Sequence, residues 1–245
     1  MKFAPALREH ASDLYRDCGR FPFHFARGKF KHDPIMADLL ALQCLSRADA
    51  SASRLLDLGC GQGLLFAALD ASARLCRDPG HPAAWPAAPP IACARGFDAA
   101  PINVRWGRRM LANRAHPHLD AEISVADVRT VELPDCDIVV AIDLMHYMPH
   151  ADQEKLLRKI AAALAPGGRL LLRVADAAQS RQTRASSLID RAVSALRGQG
   201  WQPLWLRSAA EWHSLLSQLG FAATSIKTYR SPWAVNVLVR GDKLD

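Results

Sequence analysis

The residues closest to chemistry in this chain are three glycines and an acid. Leu55–Gly63 reads LLDLGCGQG, an apolar run carrying Asp57, then Gly59, Gly61 and Gly63 at alternate positions. Such a run reads as a buried strand that turns sharply at its end. Glycines at that turn let backbone amides approach a ligand with no side chain between. A phosphate loop of the form GxxxxGK[ST] is excluded, because its lysine is absent. A dinucleotide fingerprint, GxGxxG, spaces its glycines differently, and Asp57 at the strand end would repel a pyrophosphate. The turn suits a ligand that is uncharged or positive there and offers an amino group to the carboxylate.

Other candidates repeat the pattern of an acid closing an apolar run. Asp98 ends IACARGFD, Asp127 ends AEISVAD with Val128 beside it, and Asp143 ends DIVVAID. Asp98 could accept two hydrogen bonds from a vicinal diol, each such charged contact being worth about 1.5–3 kcal/mol. The loop after Asp143, LMHYMPH, brings His146, Tyr147 and His150 close together.

Alternating strands and helices must position these groups. From Arg54 onward RLLDLG, IACARGFD, AEISVAD, DIVVAID and RLLLRVAD read as strands. The segments GLLFAALDASARL, NVRWGRRMLANRA and ADQEKLLRKIAAALA read as helices between them. That alternation predicts a mostly parallel sheet with helices on both faces. SRQTRASSLIDRAVSALRG reads as an exposed helix, and SAAEWHSLLSQLG as one opened by a Ser cap with Glu at the third helical position. TSIKTY and WAVNVLVRG read as a closing antiparallel pair. The proline-rich Arg77–Pro90 is a loop. Residues 1–50 are expected to form a separate helical cap, and 51–245 the main domain. Asp33-Pro34 is a helix start ahead of IMADLLALQCL. The preceding GRFPFHFARGKFKHDP, dense in aromatics and cations, fits no regular pattern.

LLDLGCGQG resembles the first motif of the class I S-adenosylmethionine-dependent methyltransferases, close to LDxGxGxG, and the later elements follow in that family's order over residues 54–240. The resemblance implies a Rossmann-like α/β fold with a seven-stranded, mostly parallel sheet. It implies S-adenosyl-L-methionine as cofactor, bound at Asp57, Gly59, Gly61 and Gly63. Asp98 would hold the ribose hydroxyls and Asp127, with Val128, the adenine edge. The loop DLMHYMP would face the methyl group, with Asp143 nearer the cofactor and His146 as base or acceptor-orienting group.

The acceptor follows less directly. DLMHYMP lacks the [DN]PP[YF] of the family's amino-methylating DNA enzymes, which disfavours a nucleic-acid target of that kind. It is more like the loops of small-molecule O-methyltransferases, so a hydroxyl or carboxyl of a hydrophobic small molecule is the expected acceptor. The N-terminal stretch resembles methyltransferases found with aryl-polyene and related polyketide pathways, which points to secondary metabolism. There Phe21, Phe23, Phe25 and Phe30 could line an acceptor site, and Arg27, Lys29 and Lys31 could meet a carboxylate, a phosphate or an acidic acyl carrier protein. An RNA methyltransferase and a non-catalytic S-adenosylmethionine-binding subunit are the rival readings. A nicotinamide oxidoreductase stands behind both.

Composition sets outer bounds. Half of the 245 residues are hydrophobic, and the net charge is +7, with arginines grouped at Arg105, Arg108, Arg109, Arg114 and again at Arg173, Arg181, Arg184, Arg191, Arg197. Such an excess could steer an acidic partner. Cys18, Cys44, Cys60, Cys76, Cys93 and Cys136 form no CxxC, and His116 and His118 have no third ligand nearby, so no metal is expected. With no leader and no membrane-length apolar run, a cytoplasmic location is expected.

Overall fold

The computed structural model describes residues 2–47, 49, 51–114, 119–175, 204–226 and 236–244. Seven strands form one sheet in the order β3-β2-β1-β4-β5-β7-β6. They are β1 (Ser53–Leu58), β2 (Ile91–Asp98), β3 (Asp120–Val125), β4 (Cys136–Ile142), β5 (Leu164–Ala175), β6 (Phe221–Ile226) and β7 (Asn236–Lys243). The described α-helices are α1 (Phe3–Asp13), α2 (Arg20–His32), α3 (Ile35–Ala41), α4 (Leu64–Arg77), α5 (Pro101–Ala112), α6 (His150–Ala163) and α7 (Ala209–Gln218). This is the Rossmann-like, seven-stranded sheet that the family resemblance implies, and it bears out the mostly parallel sheet expected from the alternation of elements. The exposed helix expected over SRQTRASSLIDRAVSALRG lies outside the described residues, as do His116, His118 and Arg181, Arg184, Arg191 and Arg197.

Two compact units divide the chain: Met1–Glu132 with Cys136–Val139, and Leu133–Asp135 with Val140–Asp245. In the first, β1 pairs with β2 and β2 with β3, all parallel. Parallel strands covered by helices are apolar throughout, and β1 is buried at five of its six positions. α4 carries the densest apolar surface, burying Leu65, Phe66, Ala67, Ala68, Leu69, Ala71 and Leu75. α1 packs against α4 and α2, burying Ala6, Leu7 and Ala11.

The segment GRFPFHFARGKFKHDP is helical, contrary to the absence of pattern in its sequence. The reason lies in which residues α2 buries: Pro22 and Ala26, four apart, not the phenylalanines. Pro22 falls in the first helical turn, where amide hydrogens have no intrahelical partner to lose. Phe23 N donates to Gly19 O at 3.2 Å. None of the phenylalanines is fully buried: Phe21 is exposed, stacking on Phe25 and tilting against Trp106, and Phe23, Phe25 and Phe30 are half-buried. A search for large apolar residues at helical spacing therefore passes over this helix. Asp33 behaves as expected, its Oδ1 accepting from Ile35 N at 3.2 Å as α3 begins.

In the second unit β7 pairs antiparallel with both β5 and β6. Ser208 caps α7 with Glu211 in a reciprocal capping box. Lys243 Nζ donates to the carbonyls of Ala161 and Leu164, both at 2.7 Å, tying the end of β7 to the end of α6.

Candidate functional site

The glycine turn is built by the strand ends of the first unit. Gly59, Gly61 and Gly63 have φ of 72°, 56° and 82°, the left-handed region that glycine enters without strain. Gly59 and Cys60 both donate to Phe97 O on β2, at 2.8 and 3.1 Å. The Gly63 carbonyl then accepts from Ala67 N at 3.0 Å as α4 begins. Gly61 and Gly63 have different surroundings. A Cβ on Gly63 would stand 2.7 Å from Ile123 Cδ1 and 3.0 Å from Met110 Cε, so the core requires that glycine. A Cβ on Gly61 would meet nothing within 4 Å. Its outer side is open, as a ligand-facing backbone would have it.

Two carboxylates flank the turn. Asp98 Oδ2 accepts from Gly61 N at 2.9 Å, while Oδ1 accepts from Ala100 N at 2.9 Å and Asn103 Nδ2 at 3.2 Å. Its orientation is thus fixed by the turn on one side and the start of α5 on the other. Asp57 is buried, and burial, followed by the charge of Asp98, pushes its carboxyl well above the usual range. Among the described residues no cation or donor is paired with its side chain. The Cys60 thiol is also pushed up by burial and by these acids, which makes it unreactive.

Sequence reading missed what holds this turn in place. Gln62 is buried; its Nε2 donates to Pro22 O of α2 at 3.0 Å, and its carbonyl accepts the Tyr15 hydroxyl at 2.9 Å. Gly96 and Gly107 are equally necessary, since a Cβ on Gly96 would lie 2.9 Å from Cys60 Sγ and one on Gly107 3.2 Å from Gln62 O. A glycine inside a strand and another inside a helix are the available sequence signals for such close approach.

Beyond β3, both Asp127 oxygens accept from the Arg129 guanidinium, and Oδ1 also takes the Arg129 amide at 2.9 Å. Val128 beside it is buried. The arginine excess is partly structural. Arg108 Nε donates to Ile123 O, and Arg114 to the carbonyls of Leu111 and Leu119.

Asp143 and His146 belong to the second unit. Asp143 has φ 55°, and its carboxylate is clasped by the buried Arg173 guanidinium, with Nε to Oδ1 at 2.8 Å. His146 lies in a 3-10 turn, Met145–Tyr147, and is 7% exposed, with its ring 4.2 Å from that of Tyr147. Gln153 of α6 organises this loop. Its Nε2 reaches the carbonyls of Met145, Met148 and Trp205 at 2.8–3.1 Å, and its Oε1 accepts from Arg207 Nε at 2.8 Å. A polar residue in phase with the buried Leu156, Leu157 and Ile160 was its signal.

Residues 30–226 match the family described as a methyltransferase domain. Carboxy-S-adenosyl-L-methionine synthase of Psychrobacter arcticus is 28% identical over 139 residues, covering 52% of this chain and 53% of that protein. The synthase of Geobacter metallireducens is 27% identical over 141 residues, 53% of this chain and 58% of that protein. The chain thus spans about half the length of these curated relatives. Among solved structures, magnesium protoporphyrin IX methyltransferase from Synechocystis with bound SAH superposes with a TM-score of 0.59 at 15% identity, covering 98% of this chain and 97% of that one. An O-methyltransferase family 2 protein from Planctomyces limnophilus in complex with apigenin gives 0.59 at 17% identity, over 100% of this chain and 62% of that one. At these identities the structural likeness establishes the fold.

Proposed function

The chain belongs to the methyltransferase-domain family, whose cofactor is S-adenosylmethionine, and we propose that it methylates a hydroxyl or carboxyl oxygen of a hydrophobic small molecule. The glycine turn fits the cofactor on its own geometry. The outer side of Gly61 is open, Asp98 is oriented against it, and the buried Asp57 has no cation among the described residues. In this reading the Gly59, Gly61 and Gly63 backbone holds the cofactor, Asp57 its amino group, Asp98 the ribose hydroxyls, and Asp127 with Val128 the adenine edge. Bound there, the cofactor supplies a sulfonium-activated methyl group. The protein's remaining task is to orient the acceptor, exclude water and take a proton where the acceptor must lose one. His146 is the base or orienting group in this reading, with Asp143 toward the cofactor.

One observation carries the acceptor class. Phe21, 57% exposed, packs on Phe25 and Trp106. The backbone next to this aromatic surface reaches the glycine turn, since Pro22, next to Phe21, and Gly107, next to Trp106, both lie against Gln62. An apolar or aromatic acceptor would find a stacking surface there, with α1–α3 of residues 1–50 acting as its cap. A polyketide-derived acceptor, free or on an acyl carrier protein, has this character. Such chemistry belongs to cytoplasmic secondary metabolism. Among the described residues no helix is long and apolar enough to cross a membrane.

The test is transfer of labelled methyl from S-adenosylmethionine to a panel of aromatic acids, phenols, carrier-bound polyketides and bulk tRNA. Label in the apolar oxygen acceptors, with a raised acceptor KM in Phe21→Ala, supports the reading. Label in tRNA alone, or cofactor binding with no transfer, overturns it. The activity named for the curated relatives would instead leave a carboxylated cofactor, which mass spectrometry of the spent cofactor detects.

A further inference from the structure

A hollow of about 410 Å³ lies between α1 and α2, lined by Arg8, His24, Arg27, Gly28 and Lys31. We propose that it binds a phosphoryl group carried by a small molecule, at a site separate from the glycine turn. Positions 24, 27, 28 and 31 follow the i, i+3, i+4, i+7 spacing of one helix face, and Arg8 adds a third full cation from α1. Arg8, Arg27 and Lys31 form no ion pair among the described residues. Their neighbour Lys29 is neutralised by Asp33 at 3.0 Å and is not part of the lining.

The arrangement disfavours the helix unless something else gains from it. Arg27 and Lys31 place like charges four residues apart, which weakens a helix, an effect that the position of Lys31 in the last turn offsets in part. Gly28 in the helix interior weakens it further relative to alanine. Packing does not require that glycine, because a Cβ there would meet nothing within 4 Å. What Gly28 does is keep the floor of the hollow clear between the cationic side chains. A compact dianion matches this lining: guanidinium forks suit phosphate oxygens, and Lys31 adds a point charge. A hollow lined by these cations from two helices fits a phosphoryl group better than the flat face of a protein.

The experiment is a titration of the ¹⁵N-labelled full chain with inorganic phosphate, at constant ionic strength set by chloride, following the Gly28 amide. Dimethyl phosphate forms a second arm. Saturable millimolar binding of inorganic phosphate alone identifies a terminal phosphate monoester. Dimethyl phosphate, a monoanion, should bind far more weakly, and equal binding of the two would overturn the assignment to a dianionic phosphoryl group. Arg27→Ala should weaken binding about tenfold, the loss of one charge-assisted contact. Gly28→Ala should raise the melting temperature while weakening phosphate binding, a pairing that a purely structural glycine would not give. Shifts that do not saturate, or a midpoint unchanged in both Arg27→Ala and Lys31→Ala, overturn the proposal.

Discussion

The hydroxyl of Tyr15, fully buried beyond the end of α1, donates a 2.9 Å hydrogen bond to the carbonyl of Gln62 in the middle of the glycine turn. With the Gln62 side chain bonded to Pro22 O at 3.0 Å, the N-terminal helices grip this residue through both its backbone and its amide. Tyr15→Phe leaves the Gln62 carbonyl without this donor, an expected loss of about 1–3 kcal/mol. Denaturant unfolding reads that loss, and calorimetry should show weaker S-adenosylmethionine binding in the same variant. An unchanged affinity would confine Tyr15 to stability.

Gly61 and Gly63 separate ligand from core. Gly61→Ala meets no neighbour and incurs only the left-handed backbone cost, about 1–2 kcal/mol. It should fold yet bind the cofactor poorly. Gly63→Ala adds a 2.7 Å approach to Ile123 and should cost about 3 kcal/mol or more. Melting temperatures and cofactor titrations of the two variants should therefore rank in opposite orders.

How much of this could be read in the sequence depends on the range of the interaction. The strand-turn-helix at LLDLGCGQG is a local pattern legible from its spacing, whereas Asp98 was singled out by the family resemblance of the strand it closes. The helix α2 escaped because its fully buried positions are Pro22 and Ala26, whereas its phenylalanines are half-buried or exposed. Tyr15 and Gln62 are 47 positions apart, and nothing local marks either as the other's partner. The grouping of arginines was visible, but not that Arg108 and Arg114 turn to backbone carbonyls while Arg8, Arg27 and Lys31 share a hollow.

Asp57 gives stability and binding opposite pH dependences. Burial, followed by the Asp98 charge, raises its folded pKa above the unfolded value. The folded state therefore binds the extra proton, and the stability from this group is present below the unfolded pKa and declines as pH rises through the folded one. Asp57→Asn should melt higher than the parent at pH 8, with the gap narrowing toward pH 5. The cofactor's amino group favours the charged carboxylate, so parental affinity should rise over the same pH interval. An identical pH slope in Asp57→Asn would remove Asp57 from the site.

Asp98 and Asp127 should differ in their weight. Asp98 is oriented by three donors of the turn and α5, so truncation to alanine should cut cofactor affinity by about ten- to hundredfold. Asp127 shares both oxygens with Arg129, leaving fewer lone pairs for an adenine amino group. Asp127→Ala should cost less than Asp98→Ala, and Arg129→Ala should leave binding equal or tighter. Calorimetry across the three variants checks the order.

His146 and Gln153 test chemistry against architecture within one loop. If His146 takes the acceptor's proton, His146→Ala should lower kcat about a hundredfold or more while cofactor affinity stays near parental. A pH–rate profile that loses its acidic limb in His146→Gln separates proton transfer from packing, because glutamine fills space but cannot titrate. Gln153→Leu keeps the volume but leaves the carbonyls of Met145, Met148 and Trp205 and the Arg207 guanidinium short of partners. It should lose about 2–4 kcal/mol of stability and lower kcat while keeping the acidic limb, since the imidazole remains and only its support has gone. Parental turnover in His146→Ala together with a lowered rate in Gln153→Leu would assign the loop's contribution to its shape and leave His146 a packing residue.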